Sequence, residues 1–322
     1  MIIPKYWAEA KITIQHEEKQ ITIKRFGWSD LSMEDAQMHA EARKTEAIEK
    51  LKSRQDVRKS DHKIPYNSSE GLPIREEIID QQDDVIITRN SYGALCLNTP
   101  DVLFADIDFN DTPSRQLYFS GLFALFLFCA VSALLFKSWI VLGIGILFSI
   151  MISRQTAEKL LEIQHRFIAN PEQQGLALIR SFSQSHPTWH LRVYRTPKGF
   201  RVLVMHKIFD PRGEEAQQLF NALQADPNYV RMCKNQNCFR ARISPKPWRI
   251  GVEALRSGVW PVQEDRLLDR EIWITKYQSL AQKYASCKFI EQLGSQLAHP
   301  KAKHVQSIHD QYCNANLNLE IA

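Results

Sequence analysis

The stretch of residues 117–152 constrains this fold most, because it is almost wholly apolar and its one charged residue is Lys137. As a helix, residues 117–136 span about 30 Å, which matches the hydrocarbon core of a bilayer. Residues 139–152 span roughly 21 Å and need extension into the interface, with Arg154 snorkelling. Lys137 and Ser138 lie midway, so the pattern predicts a transmembrane helical hairpin.

An even number of crossings places both flanks of this hairpin on one side of the membrane. The basic residues Arg115, Arg154, Lys159 and Arg166 flank its open end, against Lys137 alone at the turn. Since positive charge favours the cytoplasmic side, we expect an inner (cytoplasmic) membrane protein with two transmembrane helices, both termini cytoplasmic, and the lipid bilayer as a partner. Two alternatives stay open: a helical hairpin buried in a soluble core, and a re-entrant hairpin.

The rest of the chain has the composition of a folded globular protein. Of its 322 residues, 44% are hydrophobic and 24% charged, which excludes an intrinsically disordered chain. The net charge of +5 permits an anionic partner without demanding one. Apolar strands alternate with helical patterns, which predicts an α+β (α/β) fold class, a mixed-sheet soluble body with the inserted hairpin.

The same patterns predict how the chain is divided. A β-hairpin followed by a helix, with Ser32 as a plausible N-cap, forms an N-terminal module. Residues 273–293 are expected to form one amphipathic helix in a C-terminal helical segment. The predicted divisions are the module at 1–53, a linker at 54–84, the core at 85–116 and 153–265, the hairpin at 117–152 and the helical segment at 266–322.

Asp106 and Asp108 are the first candidates for chemistry. They lie two positions apart on an apolar strand, so both carboxylates project from the same face. Adjacent carboxylates repel each other unless a cation lies between them, and all-oxygen ligands favour Mg²⁺ or Mn²⁺. Such ions can polarise a phosphate and activate an attacking oxygen.

Residues 100–250 carry further motifs in a definite order. The paired aspartates precede a strand pair with a polar turn, RTPKGFR at 195–201, and a later run, CFRARISPKPWR at 238–249. In this order the segments resemble the archaeo-eukaryotic primase (primase-polymerase) superfamily. Over its whole length the chain also resembles bacterial membrane proteins of unknown function, a resemblance that implies no activity.

The primase-polymerase resemblance implies specific roles. The metal-binding and catalytic acids would be Asp106, Asp108 and Asp226. The phosphate-binding residues would be Thr196, Lys198 and Arg201 around Gly199, followed by Arg242, Ser244 and Lys246. At one position the chain departs from the family, which usually has His where this chain has Arg201. An arginine can still pair with phosphate oxygens, but it cannot titrate near neutral pH.

These residues define the functional hypotheses. The first is a membrane-anchored protein with a cytoplasmic divalent-metal, nucleotide- or nucleic-acid-binding domain; if it is an enzyme, it is a metal-dependent nucleotidyltransferase-like one. The alternative is a non-catalytic membrane scaffold or binding protein. Separately, Cys233 and Cys238 have a spacing that zinc sites use, and His309 with Cys313 could complete four ligands. Nothing in the sequence places the two pairs together, and the alternative that the sequence favours is buried thiols and a C-terminal helix face.

Overall fold

The structure is a computed structural model, and its described residues fall into two compact units. One unit comprises Met1–Ile107 and Phe182–Ala322, and the other comprises Asp108–Ser181. The described residues are 1–16, 19–61, 72–109, 115–138, 140, 143–149, 151–152, 155, 158–159, 171–256 and 260–322. Part of the predicted linker, residues 62–71, lies outside them.

Strands and helices both contribute to the larger unit. The strands are β1 Tyr6–His16, β2 Lys19–Ser29, β3 Glu77–Gln82, β4 Val85–Arg89, β5 Leu95–Thr99, β6 Phe104–Asp108, β7 His190–Thr196, β8 Gly199–Val204, β9 Phe239–Arg242, β10 Tyr284–Ala285, β11 Lys288–Gly294 and β12 Glu320–Ile321. Among the described residues, the helices with defined bounds are α1 Met33–Lys52, α2 Arg115–Phe136, α3 Pro171–Ser185, α4 Glu214–Ala222, α5 Pro227–Gln236, α6 Leu267–Ala281 and α7 Pro300–Cys313.

Two four-stranded sheets form the centre of the larger unit. One has the order β3-β4-β5-β9 and is antiparallel throughout. The other has the order β11-β7-β8-β6, with antiparallel pairing of β7 to both β11 and β8. Every residue of β8 is buried, as expected for a strand inside the core. The fold is therefore a mixed α+β arrangement with several sheets.

The N-terminal module packs through unusually small residues. As predicted, β1 and β2 form a hairpin, and Ser32 caps α1 by accepting a hydrogen bond from the Asp35 N–H at 3.1 Å. The contact between hairpin and helix consists of alanines: Ala8, Ala10, Ala36 and Ala40. A side chain at Gly27 would collide with the backbone of α1, so the helix lies directly against the strand.

The smaller unit contains α2 and a helical segment at 143–149. The Cys129 Sγ and Ser149 Oγ atoms lie 3.5 Å apart. Gly145 permits this approach, because a Cβ there would collide with the Cys129 side chain. Phe123 and Phe128 on α2 are exposed.

The transmembrane prediction is wrong. Within the part of the chain that the structure describes, no helix combines the length and apolar character needed to cross a bilayer. This finding overturns the inserted transmembrane hairpin in the predicted fold class, the membrane description and the inner-membrane location with both termini cytoplasmic. The predicted bilayer partner depended on the same hairpin. Residues 139, 141–142 and 150 of the second arm lie outside the described residues.

An apolar composition and a sufficiently long helix are separate requirements for crossing a bilayer. The apolar composition of residues 117–152 makes their exposure to water unfavourable. A bilayer additionally requires about twenty consecutive helical residues, because each backbone polar group must be satisfied within the segment. Helix α2, Arg115–Phe136, has 22 residues, and Lys137 follows with a positive φ of 46°. The second arm falls short of this length, because its longest described helical stretch is 143–149.

The single helix predicted at 273–293 is also wrong in its second half. Helix α6 ends at Ala281, and the following residues form β10 and β11. Strand β11 pairs with β7, and β10 pairs with β12. Pairing with distant strands thus overrides the local helical pattern.

Replacing Gly27 with alanine tests the packing of the N-terminal module. Because the new methyl group meets helix backbone rather than a movable side chain, we expect a loss of at least about 2 kcal/mol in the free energy of unfolding, measured in urea. Met38→Ala, at an exposed position of α1, serves as the control and should change stability by less than about 0.5 kcal/mol. Equal effects of the two substitutions would contradict this packing.

Candidate functional site

A buried arginine meets an aspartate between β8 and β6. Arg201 is 3% exposed, and its guanidinium donates from Nε to Oδ1 of Asp106 at 2.8 Å and from Nη2 to Oδ2 at 3.2 Å. Its Nη1 donates to the backbone carbonyl of Arg242 at 2.8 Å. The bidentate geometry is the strongest form of this ion pair, so Arg201 ties β6, β8 and the end of β9 together.

The environment keeps this guanidinium charged. Burial by itself lowers the pKa of Arg201, but the adjacent Asp106 carboxylate outweighs burial and raises that pKa above its ordinary value. The carboxylate of Asp106 is 28% exposed. One side of the ion pair therefore lies in the core, and the other reaches the surface.

Of the other two predicted acids, Asp226 lies beside Asp106 through its backbone. Its N–H donates to the Asp106 carbonyl at 2.9 Å. Its carboxylate caps α5, accepting from the Asn228 N–H at 3.1 Å. Asp108 is exposed and opens the smaller unit. The structure thus brings the backbones of Asp106 and Asp226 together while directing the Asp226 carboxylate to the start of a helix.

The ion pair bears directly on the predicted magnesium or manganese ions. Each of these cations needs carboxylate oxygens at about 2.1 Å, and both oxygens of Asp106 already accept hydrogen bonds from a cationic group. A cation at Asp106 would lie close to the positive charge of Arg201, and this repulsion makes the fit poor. The metal and catalytic roles of Asp106, Asp108 and Asp226 stay predictions.

The predicted phosphate-binding residues divide into surface and buried groups. Thr196 ends β7, and Lys198 is exposed in the β7–β8 turn. Lys246 lies over the Trp248 ring, 5.5 Å from its centroid. Arg242 is half-buried at the end of β9. These four residues keep access to solvent.

Ser244 is buried and has a structural set of hydrogen bonds. Its Oγ accepts from the Leu95 N–H at 2.7 Å and lies 2.6 Å from the Tyr277 hydroxyl. Because Tyr277 donates its proton to the Pro245 carbonyl, Ser244 must be the donor to Tyr277. The proposed phosphate role of Ser244 remains untested, but its hydroxyl already has partners inside the protein.

A second polar cluster lies next to Arg201, in the core. Ligand atoms of Cys287, His309 and Cys313 all lie within 4.8 Å of one another, and all three residues are buried. The Nε2 of His309 is 3.8 Å from the Cys287 Sγ and 3.4 Å from the Arg201 Nη1. On the other side of the ring, Nδ1 lies 3.0 Å from Oδ1 of Asp310.

The cluster shifts the ionisation of its own members. Burial raises the pKa of Cys287, but the Cys313 thiol and the His309 ring more than reverse this effect and lower it to about 5. Burial, reinforced by the neighbouring thiolate, raises the pKa of Cys313 well above its ordinary value. The Cys287 thiolate likewise raises the pKa of His309 against the effect of burial. The arrangement favours a thiolate at Cys287.

The cluster contains two of the four predicted zinc ligands, with Cys287 in place of the other two. His309 and Cys313 lie with Cys287, whereas Cys238 packs with Ile3 and Ile74 in a separate apolar cluster. The Cys238 N–H donates to the Cys233 carbonyl at the end of α5. Sequence reasoning missed Cys287 because it placed that residue inside the predicted helix 273–293. The available signal was His309 and Cys313 at a spacing of four, which places both on one helix face.

The Asp106–Arg201 pair can be tested by a double-mutant cycle. Asp106→Ala leaves a buried guanidinium without its carboxylate, so we expect the free energy of unfolding to fall by about 3 kcal/mol. Adding Arg201→Met removes the uncompensated charge and should recover a large part of the loss. Glu215→Ala, which breaks the exposed Lys207–Glu215 pair, is the control and should cost less than about 1 kcal/mol. A similar cost for Asp106→Ala would contradict the pairing.

Comparisons with known proteins add no relative to this description. No protein-family model matches the chain, and neither does any curated protein or solved structure. The primase-polymerase resemblance therefore depends on the residues named above, and their geometry has to carry any functional argument.

Proposed function

We propose that this chain binds a nucleotide or a nucleic acid through a primase-polymerase-like centre at Asp106, and that it does so without nucleotidyl transfer. The observation that carries the proposal is a set of hydrogen bonds around Asp106. Its carboxylate pairs with Arg201, its carbonyl accepts from the Asp226 N–H, and Arg201 also donates to the Arg242 carbonyl. These residues come from separate segments in the order that the resemblance implies, and their contacts are hydrogen bonds of 2.8–3.2 Å.

The ion pair supports binding over catalysis. In a two-metal mechanism, carboxylates hold the ions that polarise the reacting phosphate. At Asp106 a guanidinium already neutralises the carboxylate, and its charge stays in place at any physiological pH. Arg201 thus keeps the strands of a nucleotide-binding centre together while the metal chemistry has no anchor.

Phosphate recognition would fall to basic side chains near the surface. Arg201 is committed to Asp106 and to the Arg242 carbonyl, so it cannot also reach a ligand. Lys198 and Arg242 belong to the two motifs that the resemblance assigns to phosphate, and both have solvent access. An exposed lysine and a guanidinium are suitable partners for phosphate oxygens.

Binding of a fluorescent ATP analogue and of a labelled single-stranded oligonucleotide to the full chain tests this proposal. The variant Lys198→Ala/Arg242→Ala should bind at least about 10-fold more weakly, corresponding to about 1.4 kcal/mol. The Arg242 substitution leaves intact the backbone carbonyl that accepts from Arg201. Lys234→Ala/Lys283→Ala removes the same charge at exposed positions outside these motifs and should bind like the wild type. No binding by the wild type, or equal loss in both double variants, overturns the proposal.

A second experiment tests whether the protein lacks nucleotidyl transfer activity. Nucleotide binding should change less than about 2-fold when Mg²⁺ is replaced by EDTA, because no ion bridges Asp106 to the phosphates. In an extension assay with primer, template, nucleotides and Mn²⁺, the wild type should give no product above that of Asp106→Asn. Metal-dependent product that disappears in Asp106→Asn would instead establish catalysis.

A further inference from the structure

We propose that Cys287, His309 and Cys313 form a binding site for a thiophilic divalent metal ion, with Zn²⁺ as the best match. The three side chains lie on two segments that are distant in sequence: the β10–β11 connection and helix α7. Their ligand atoms lie within 4.8 Å of one another in the core. This site is separate from the nucleotide-binding centre proposed above.

The ligand types select the metal. Two thiolates and one imidazole are soft to borderline donors, which suit Zn²⁺ and not Mg²⁺ or Ca²⁺. Bond lengths of about 2.3 Å to sulfur and about 2.0 Å to nitrogen, at tetrahedral angles, require about 3.6 Å between Sγ and Nε2. The observed distance between the Cys287 Sγ and the His309 Nε2 is 3.8 Å, so only a small adjustment is needed.

The histidine is oriented as metal-binding histidines are. Asp310 accepts at Oδ1 from Nδ1 of His309, which leaves the lone pair of Nε2 directed at the thiols. Asp310 is itself held by Arg192 on β7, whose Nη2 donates to Oδ2 at 3.0 Å, and by the Gln306 amide at 3.2 Å. A carboxylate behind the ligand fixes the ring and increases its basicity.

The backbone brings the two segments into position before any metal binds. The Ser286 N–H donates to the Cys313 carbonyl at 2.9 Å, and the Phe289 N–H donates to the Ala315 carbonyl at 3.0 Å. These bonds lie directly beside Cys287 and Cys313. A site organised in this way pays little conformational entropy when it binds an ion.

Charge balance also fits a dication. Zn²⁺ with two thiolates is neutral, while the adjacent Arg201 is already neutralised by Asp106 and Arg192 by Asp310. Buried charges are tolerated only when compensated in this manner. The one contact that must yield is the long one, 3.4 Å, from the Arg201 Nη1 to the His309 Nε2. The three residues leave one coordination position, which a guanidinium cannot fill because it has no lone pair to donate.

Metal analysis of the purified full chain tests this proposal. After expression with added zinc and purification without chelators, we expect one Zn²⁺ per chain. Replacement with Co²⁺ should produce sulfur-to-cobalt charge-transfer absorption and the visible bands of tetrahedral Co²⁺. Cys287→Ser and Cys313→Ser should each weaken metal binding at least about 10-fold and reduce the charge-transfer absorption. Asp310→Asn, which alters only the positioning of His309, should weaken binding about 10- to 100-fold.

Two matched controls separate metal binding from general damage to the core. Cys233→Ser and Cys238→Ser are the same chemical change at buried cysteines outside the cluster, and both should retain stoichiometric metal. Zinc should raise the melting temperature of the wild type and of both controls, because ligand binding favours the folded state, but not that of Cys287→Ser. The proposal is overturned if the wild type holds no more metal than Cys287→Ser.

Discussion

The buried guanidinium of Arg201 is the constraint on which the centre of this structure depends. A charge enclosed in a protein core is costly unless hydrogen bonds and an opposite charge compensate it. Asp106 supplies the opposite charge, and the Arg242 carbonyl supplies a further acceptor. Strands β6, β8 and β9 must therefore keep their relative positions, because displacing any of them leaves a buried polar group without a partner.

The same residue links the two polar clusters of the core. On one side Arg201 neutralises Asp106, and on the other it contacts His309 of the cysteine–histidine cluster. That cluster is held in turn by Asp310 and Arg192. A continuous set of polar contacts thus runs from β6 to α7 through the buried interior. Such a set is stable only when every member has a partner, which explains why charged residues are accommodated so deep in the fold.

The sequence pattern predicted the elements that depend on interactions between residues close together in the chain. Alternating residues gave the β1–β2 hairpin, and the Ser32 cap gave the start of α1. Strand β11 was missed, because its pairing with β7 joins residues about a hundred positions apart and leaves no local signal. The transmembrane hairpin was predicted from apolar composition, and no helix among the described residues is both long and apolar enough to cross a bilayer.

Sequence order grouped some residues that hydrogen bonds connect, but it did not predict how they pair. It brought Asp106, Arg201 and Arg242 into one hypothesis, and in the structure Arg201 bonds the Asp106 carboxylate and the Arg242 carbonyl. What sequence could not reveal is that Asp106 faces an arginine, since partner choice depends on which side chains meet across the sheet. The same limit applies to Cys287, whose partners lie on a distant helix.

The most direct test of this account is a crystal structure of the protein grown with Mn²⁺ and a nucleotide, examined by anomalous scattering. The account predicts that Arg201 remains bidentate on Asp106 and that no anomalous peak lies at that carboxylate. A manganese peak about 2.1 Å from an Asp106 oxygen, with the guanidinium displaced, would contradict it.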